Sequence, residues 1–249
     1  MDFKLFYHFG RFVLLMRSVF SRPPGKFSMY WKEIVRQMVD IGIGSIIVVG
    51  LISIFIGAVT AIQFAYQLDG TLVPRYYIGY IVRDLAIIES APTITCLVLA
   101  GKVGSNIAAE IGGMRQKEHI DAMELMGVNT ASYLIMPRIV AAMVVIPLLV
   151  TISAYIATVG GWLAVVPTDK ITGEEYVRGL RSFFVPFNVT LMYVKAVVFA
   201  FILTSVPAFQ GYYVRGGAIE LGAASTNAVV FSDILILLAD YLIAVLLTT

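Results

Sequence analysis

From Ile41 to Leu68 the sequence carries no charged residue. Folded as a helix rising 1.5 Å per residue, such a run exceeds the roughly 20 residues that cross the hydrocarbon core of a bilayer. It predicts a first transmembrane helix. Gly42, Gly44, Gly50 and Gly57 within it suggest close contact with neighbouring helices, and Gln63 is a polar residue near its far end. The composition agrees. Hydrophobic residues make up 59% and charged residues 14% of 249, whereas a soluble domain carries about a quarter charged residues.

Four more apolar segments follow. The second runs from about Ile78 or Leu85 to Gly101 and holds Glu89 and Pro92. An acid at membrane depth faces protein or a wet cavity, so Glu89 is either functional or structural. Pro92 has no N–H and kinks the helix or marks its start. The third, Ile139 to Thr168, is free of charge and contains Pro147. The fourth covers Phe187 to Phe209 with Lys195 inside. The fifth, Val229 to Leu247, has Asp233 and Asp240 seven apart on one face. Lys195 and Asp240 lie about 15 and 12 residues from the same ends of their spans. They are expected to pair or to share a polar pocket, either to fix packing or to serve transport.

The expected organisation is a single all-α membrane domain over residues 1–249. Interfacial N-terminal helices occupy 1–40. The spans are 41–68, 78–101, 139–168, 187–209 and 229–248, joined by segments 102–138, 169–186 and 210–228. In the first stretch Lys4, His8, Arg11 and Ser18 align on one face, with Phe6, Phe9, Val13, Met16 and Phe20 opposite and Arg17 as a misfit. That pattern predicts an amphipathic helix lying on the membrane, ended by Pro23-Pro24-Gly25. Twelve Lys and Arg residues fall on the N-terminal side of the spans and five on the other. This bias predicts a cytoplasmic N-terminus and a C-terminus on the far side.

The segment between spans two and three is polar. Gln116 to Met126 reads as a short amphipathic helix with Ile120 and Met123 on one face and Glu118, His119, Asp121 and Glu124 around the rest. Gly112-Gly113 is expected to interrupt the helix before it, and Gly127 to cap it. A polar helix between two spans rests on the water side, where a soluble partner can touch it. Net charge is only +2, which implies no nucleic-acid partner. The single Cys96 excludes an intramolecular disulfide, and two distant histidines give no metal site. No phosphate-cradling loop or catalytic constellation is present. The chain is expected to be non-catalytic and without a cofactor of its own, so active transport would draw on a partner or an ion gradient.

The block AGKVGSNIAAEIGGMRQKEHIDAMELMGVNTASYLIMPRIVA resembles the signature of MlaE-type permeases. These are the transmembrane subunits of ABC transporters that carry lipid between the two membranes of diderm bacteria, with relatives in the chloroplast envelope and in actinobacterial lipid importers. Gly57 to Leu68 is similar to the end of that family's first span. Glu89-Ser90-Ala91-Pro92 resembles its Glu-Leu-Gly-Pro element, and Lys195, Gly211, Gly216 to Val230 and Asp240-Tyr241 follow in order. The family's Arg before that Glu is Ile88 here, with Arg83 as the candidate substitute. Its Thr-Glu-Gln is Lys117-Glu118-His119, so only Glu118 transfers.

The resemblance implies a homodimer in the bacterial inner membrane. It implies a cytoplasmic ATP-binding subunit carrying ATP and magnesium, and a periplasmic ring of MCE-domain protein. The short helix becomes a coupling helix, with Glu110, Arg115, Glu118, Asp121, Glu124, Met126 and Gly127 as its contact residues. Ala61, Gln63, Tyr66 and Glu89 become candidates for a phospholipid pathway. The alternative is a gradient-driven transporter or channel using Glu89, Lys195, Asp233 and Asp240, although no inverted repeat is evident.

Overall fold

The computed structural model describes residues 2–21 and 27–248, and the side chains of 6–21 and 30–247. The Pro23-Pro24-Gly25 break, Arg22 and Lys26 lie outside the described residues, as does the Lys4 side chain. Every regular element among the described residues is helical. They are α1 (Asp2–Ser21), α2 (Phe27–Gln67), α3 (Tyr77–Gln116), α4 (His119–Leu125), α5 (Thr130–Val165), α6 (Gly173–Arg181), α7 (Pro186–Tyr212) and α8 (Ala218–Thr248). Five of them, α2, α3, α5, α7 and α8, are long and apolar enough to cross a membrane.

The helices outrun the apolar runs that announced them. The lead-in at 28–40 is continuous with the first span, giving one helix of 41 residues. Segment 102–138 is not a separate unit, because α3 continues past Gly101 to Gln116 and α5 already begins at Thr130. Gly112-Gly113 does not interrupt the helix. Gly112 has a packing reason, since a Cβ there would meet the Leu221 side chain, while Gly113 has open space beside it and continues the helix at the usual glycine cost. The break falls instead at Glu118, whose φ of 57° is left-handed, so the short helix starts at His119. Asn129 then starts α5, its side chain accepting the Ser132 N–H at 3.3 Å. The Gly/Ala-rich stretch 210–228 is mostly helix too. Alanine is the best helix former, and the turn ends at Gly217, whose N–H donates to Glu220 at 2.8 Å.

Helices α2 and α5 form the largest interhelical contact. Their backbones touch where a side chain would not fit. A Cβ at Gly57 would overlap the Ala157 backbone, and one at Gly160 would overlap Ile54. Ser53 and Ser153 hydroxyls meet at 2.8 Å across this contact, and Thr95 of α3 joins Ser153 at 2.9 Å. Gly57→Ala is expected to force the helices apart and cost about 1–3 kcal/mol. Thermal unfolding in detergent checks it, with Gly50→Ala, where the added carbon has ordinary room 3.5 Å from Ile156, as the control that leaves stability nearly unchanged.

Helix α7 lies innermost, between α5, α3 and α8, and α8 buries the least of its surface. Helix α1 packs Leu15, Met16 and Val19 inward, while Phe6, Phe9, Val13 and Phe20 stay exposed. Met16 therefore leaves the phenylalanine face. The loop at 169–186 folds as α6, with Thr172 and Glu175 forming a reciprocal cap. Tyr176 is fully buried beneath it and donates to the Thr158 carbonyl at 3.0 Å; burial raises its hydroxyl pKa. At the same end, the Lys170 ammonium 2.9 Å from Asp69 holds that carboxyl below the usual range.

Candidate functional site

The polar centre of the bundle is built around Lys195 of α7, whose side chain is fully buried. Its ammonium lies 2.6 Å from Asp240 Oδ1 of α8 and 3.1 Å from Glu89 Oε1 of α3. It also donates to the Ile88 carbonyl at 3.0 Å. The last contact follows from the sequence of α3. Ile88 is four residues before Pro92, which has no N–H to return an i→i−4 bond. The lysine supplies a donor to that carbonyl. Around it the helix widens to π geometry over Ala86–Ile94 and again over Ala100–Gly104. Such insertions recur at functional sites.

Thr93 completes the group by donating to Asp240 Oδ2 at 3.1 Å. The cluster thus carries one cation and two carboxylates. Asp240 is 15% exposed, whereas the Glu89 side chain is 47% exposed and opens to the outer face of the chain. Lys195 and Asp240 meet at the common depth their spans imply. Glu89 was legible by the same count, since it lies about 12 residues before Gly101. Thr93 and the Ile88 carbonyl carry no such signal. Asp233 makes no ion pair among the described residues, and its Oδ1 is buried without a hydrogen-bond partner.

The residues expected to face a soluble partner split into two groups. Glu110, itself half exposed, pairs with the buried Arg138 at 2.8 Å, and Asp121 pairs with Arg115 at 2.8 Å. Glu124 accepts from Thr130 and from the Tyr212 hydroxyl, each at 3.0 Å. These bonds fasten α4 to α3, α5 and α7, with Ile120 fully buried beneath. Glu118, His119, Ala122 and Glu124 are exposed along this segment, followed by Leu125 at 90% and Met126 at 72% exposure, before Gly127 turns the chain at φ 77°. Glu110, Asp121 and Glu124 are thus partnered while still open to water, and the tip that follows is apolar. Periodicity alone assigns a face to a residue but not the neighbour that will meet it.

The four lipid-pathway candidates do not converge within one chain. Ala61 is fully buried against Ile78, Val82 and Tyr176. Gln63 and Tyr66 point outward from α2. Glu89 sits in the ion cluster on α3. Ala61 is therefore a packing residue, because it falls on the face that α2 buries. Arg83 does not stand in for the missing arginine either. It is buried, ion-paired to Asp84 at 2.6 Å, and donates to the carbonyls of Leu180, Ser182 and Phe183. It straps α6 to α3.

Comparison with known proteins gives a consistent answer. The family described as Permease MlaE matches residues 34–246. A probable ABC transporter permease protein of Rickettsia bellii is 36% identical over 235 residues, covering 94% of this chain and 89% of the relative. The protein TRIGALACTOSYLDIACYLGLYCEROL 1, chloroplastic, of Arabidopsis thaliana is 30% identical over 226 residues, 88% of this chain and 62% of that one. The intermembrane phospholipid transport system permease protein MlaE of Haemophilus influenzae is 27% identical over 235 residues, 94% and 89% of the two chains.

Proposed function

Since the chain belongs to the MlaE permease family, we propose that it is the membrane subunit of an ATP-driven transporter moving phospholipid between the inner membrane and a periplasmic MCE-domain protein. ATP is hydrolysed on a separate cytoplasmic subunit, and the permease itself does no chemistry. The name of the Haemophilus influenzae relative supports phospholipid as the cargo. The observation that carries the reading is the tip of α4. A seven-residue helix between two spans, internally braced, holds Leu125 and Met126 out toward water. Exposed apolar residues on a braced mount suit insertion into a groove on a partner. ATP-driven closure of that partner would move α4, and through the Glu124–Tyr212 bond would act on α7.

The same reading places the N-terminus in the cytoplasm and two copies side by side. The half-exposed Glu89 supports the pairing. A carboxylate at membrane depth is costly against lipid, so its open side faces protein or a wet cavity. A second copy would supply both, and the outward-facing Gln63 and Tyr66 would then line the space between copies.

Purification of the tagged chain in mild detergent from its native membrane, with mass spectrometry of what accompanies it, tests the proposal. Recovery of an ATP-binding subunit, an MCE-domain protein and phospholipid is the expected result. A lone oligomer, under conditions that preserve a known ABC complex, would favour a gradient-driven carrier working through Glu89, Lys195 and Asp240.

A further inference from the structure

A cleft of about 610 Å³ separates α2 from α3 on the α4 side of the bundle. Asp40, Ile43 and Gly44 form one wall, and Lys102, Asn106 and Glu110 the other. It lies further along α3 than Glu89 and Thr93, and it shares no residue with the ion cluster or with α4. Its depth can be read from the chain. Asp40 immediately precedes the uncharged run that begins at Ile41, and Lys102 immediately follows the end of the second apolar segment at Gly101. Charged residues at the ends of apolar runs mark the headgroup boundary. The cleft therefore opens at headgroup level, in the leaflet nearer α4.

Its chemistry is mixed. The Lys102 ammonium reaches across the cleft and donates to the Gly44 carbonyl. A Cβ at Gly44 would lie 3.8 Å from the ammonium, an ordinary contact, so a small side chain there would leave the seat open. Two more of its three N–H donors remain. The side chains of Asp40 and Asn106 are exposed and make no hydrogen bond among the described residues. Glu110 is already committed to Arg138. Beyond the cleft, Ile43 at 66% and Ile47 at 78% exposure continue along α2 into the hydrocarbon.

We propose that this cleft binds the headgroup of an amine-bearing zwitterionic phospholipid. The phosphate takes Lys102 and Asn106, the ammonium takes Asp40, and an acyl chain follows Ile43 and Ile47. One cation and one uncommitted carboxylate match a zwitterion. A net-anionic headgroup would bring no cation to Asp40, and a choline headgroup has no N–H to give it. The site requires only that the helices span a bilayer, and it stands whether or not ATP drives the protein.

The full chain, carrying a photoreactive benzoylphenylalanine in place of Ile43, would be reconstituted in vesicles of equal parts phosphatidylethanolamine, phosphatidylcholine and phosphatidylglycerol. The same group at Val59, exposed on the far half of α2, reports bulk lipid. At position 43 the cross-linked ethanolamine lipid should outnumber each of the other two by about fivefold or more, as a charge-assisted hydrogen bond allows. Lys102→Gln and Asp40→Asn should each remove that excess. Gly44→Leu, which fills the cleft and keeps its charges, should do the same. Composition at position 59 should stay statistical throughout. Equal labelling of the three lipids at position 43 would mean bulk lipid only and would overturn the site. So would a preference for phosphatidylglycerol, an ethanolamine excess that survives these substitutions, or cross-linking to a second copy of the chain.

Discussion

Lys195→Met is expected to abolish stable assembly of the chain, at a cost of about 3–5 kcal/mol, the usual penalty for leaving buried charge without its partner. Two carboxylates, Glu89 and Asp240, would then share one site with no cation between them. The Ile88 carbonyl would lose its donor, and Pro92 cannot replace it. Size-exclusion profile and thermal unfolding in mild detergent measure the loss. A reciprocal exchange, Lys195→Asp with Asp240→Lys, is expected to recover less than half of it. Such a swap suits an isolated pair, but here Glu89 is a third member and the backbone carbonyl a fourth. The rescue that should succeed is neutralisation of all three, Lys195→Met with Glu89→Gln and Asp240→Asn, because no uncompensated charge is then left buried. Lipid transfer by that triple variant then separates the roles. Normal transfer would make the cluster a packing device, and folded but inactive protein would place it in the transport path. A folded Lys195→Met protein of unchanged stability would contradict the cluster itself.

The second large effect is expected at the tip of α4. Leu125→Asp combined with Met126→Asp should weaken association with the proposed ATP-binding subunit by about a hundredfold or more, the scale of losing two buried interface anchors. The permease itself should keep its melting temperature, since both side chains are exposed. Reversing the acids should behave differently. Glu124→Lys breaks the bonds to Thr130 and Tyr212, and Asp121→Lys breaks the pair with Arg115. Those variants should lose stability first and partner second. Comparing co-purified ATP-binding subunit with thermal unfolding for both sets distinguishes the two cases. Unchanged association in the Leu125/Met126 variant would remove the docking role of α4.

Both expectations turn on contacts that the linear pattern left open. The five spans were legible because crossing a bilayer is a local property: an uncharged run such as 41–68 either is or is not long enough. Depth was legible for the same reason. Lys195 and Asp240 could be matched by counting from the ends of their own helices, and Glu89 yields to the same count. The short helix and the family signature were also readable, because both rest on consecutive residues.

What the sequence could not supply is direction around each helix axis. Ala61 and Gln63 sit two residues apart in one motif, yet one is sealed against α3 and α6 and the other points outward. Glu124 reads as an acid without a partner until Tyr212, 88 residues later, is brought to it. Arg83 reads as a free cation until the chain returns through Leu180 to Phe183 and wraps it. Rise along a helix is fixed by the backbone, so the sequence alone determined how deep each residue lies. Which neighbour a side chain meets at that depth depends on helix crossings set by distant residues such as Gly57 and Ala157, and only the tertiary structure decided that.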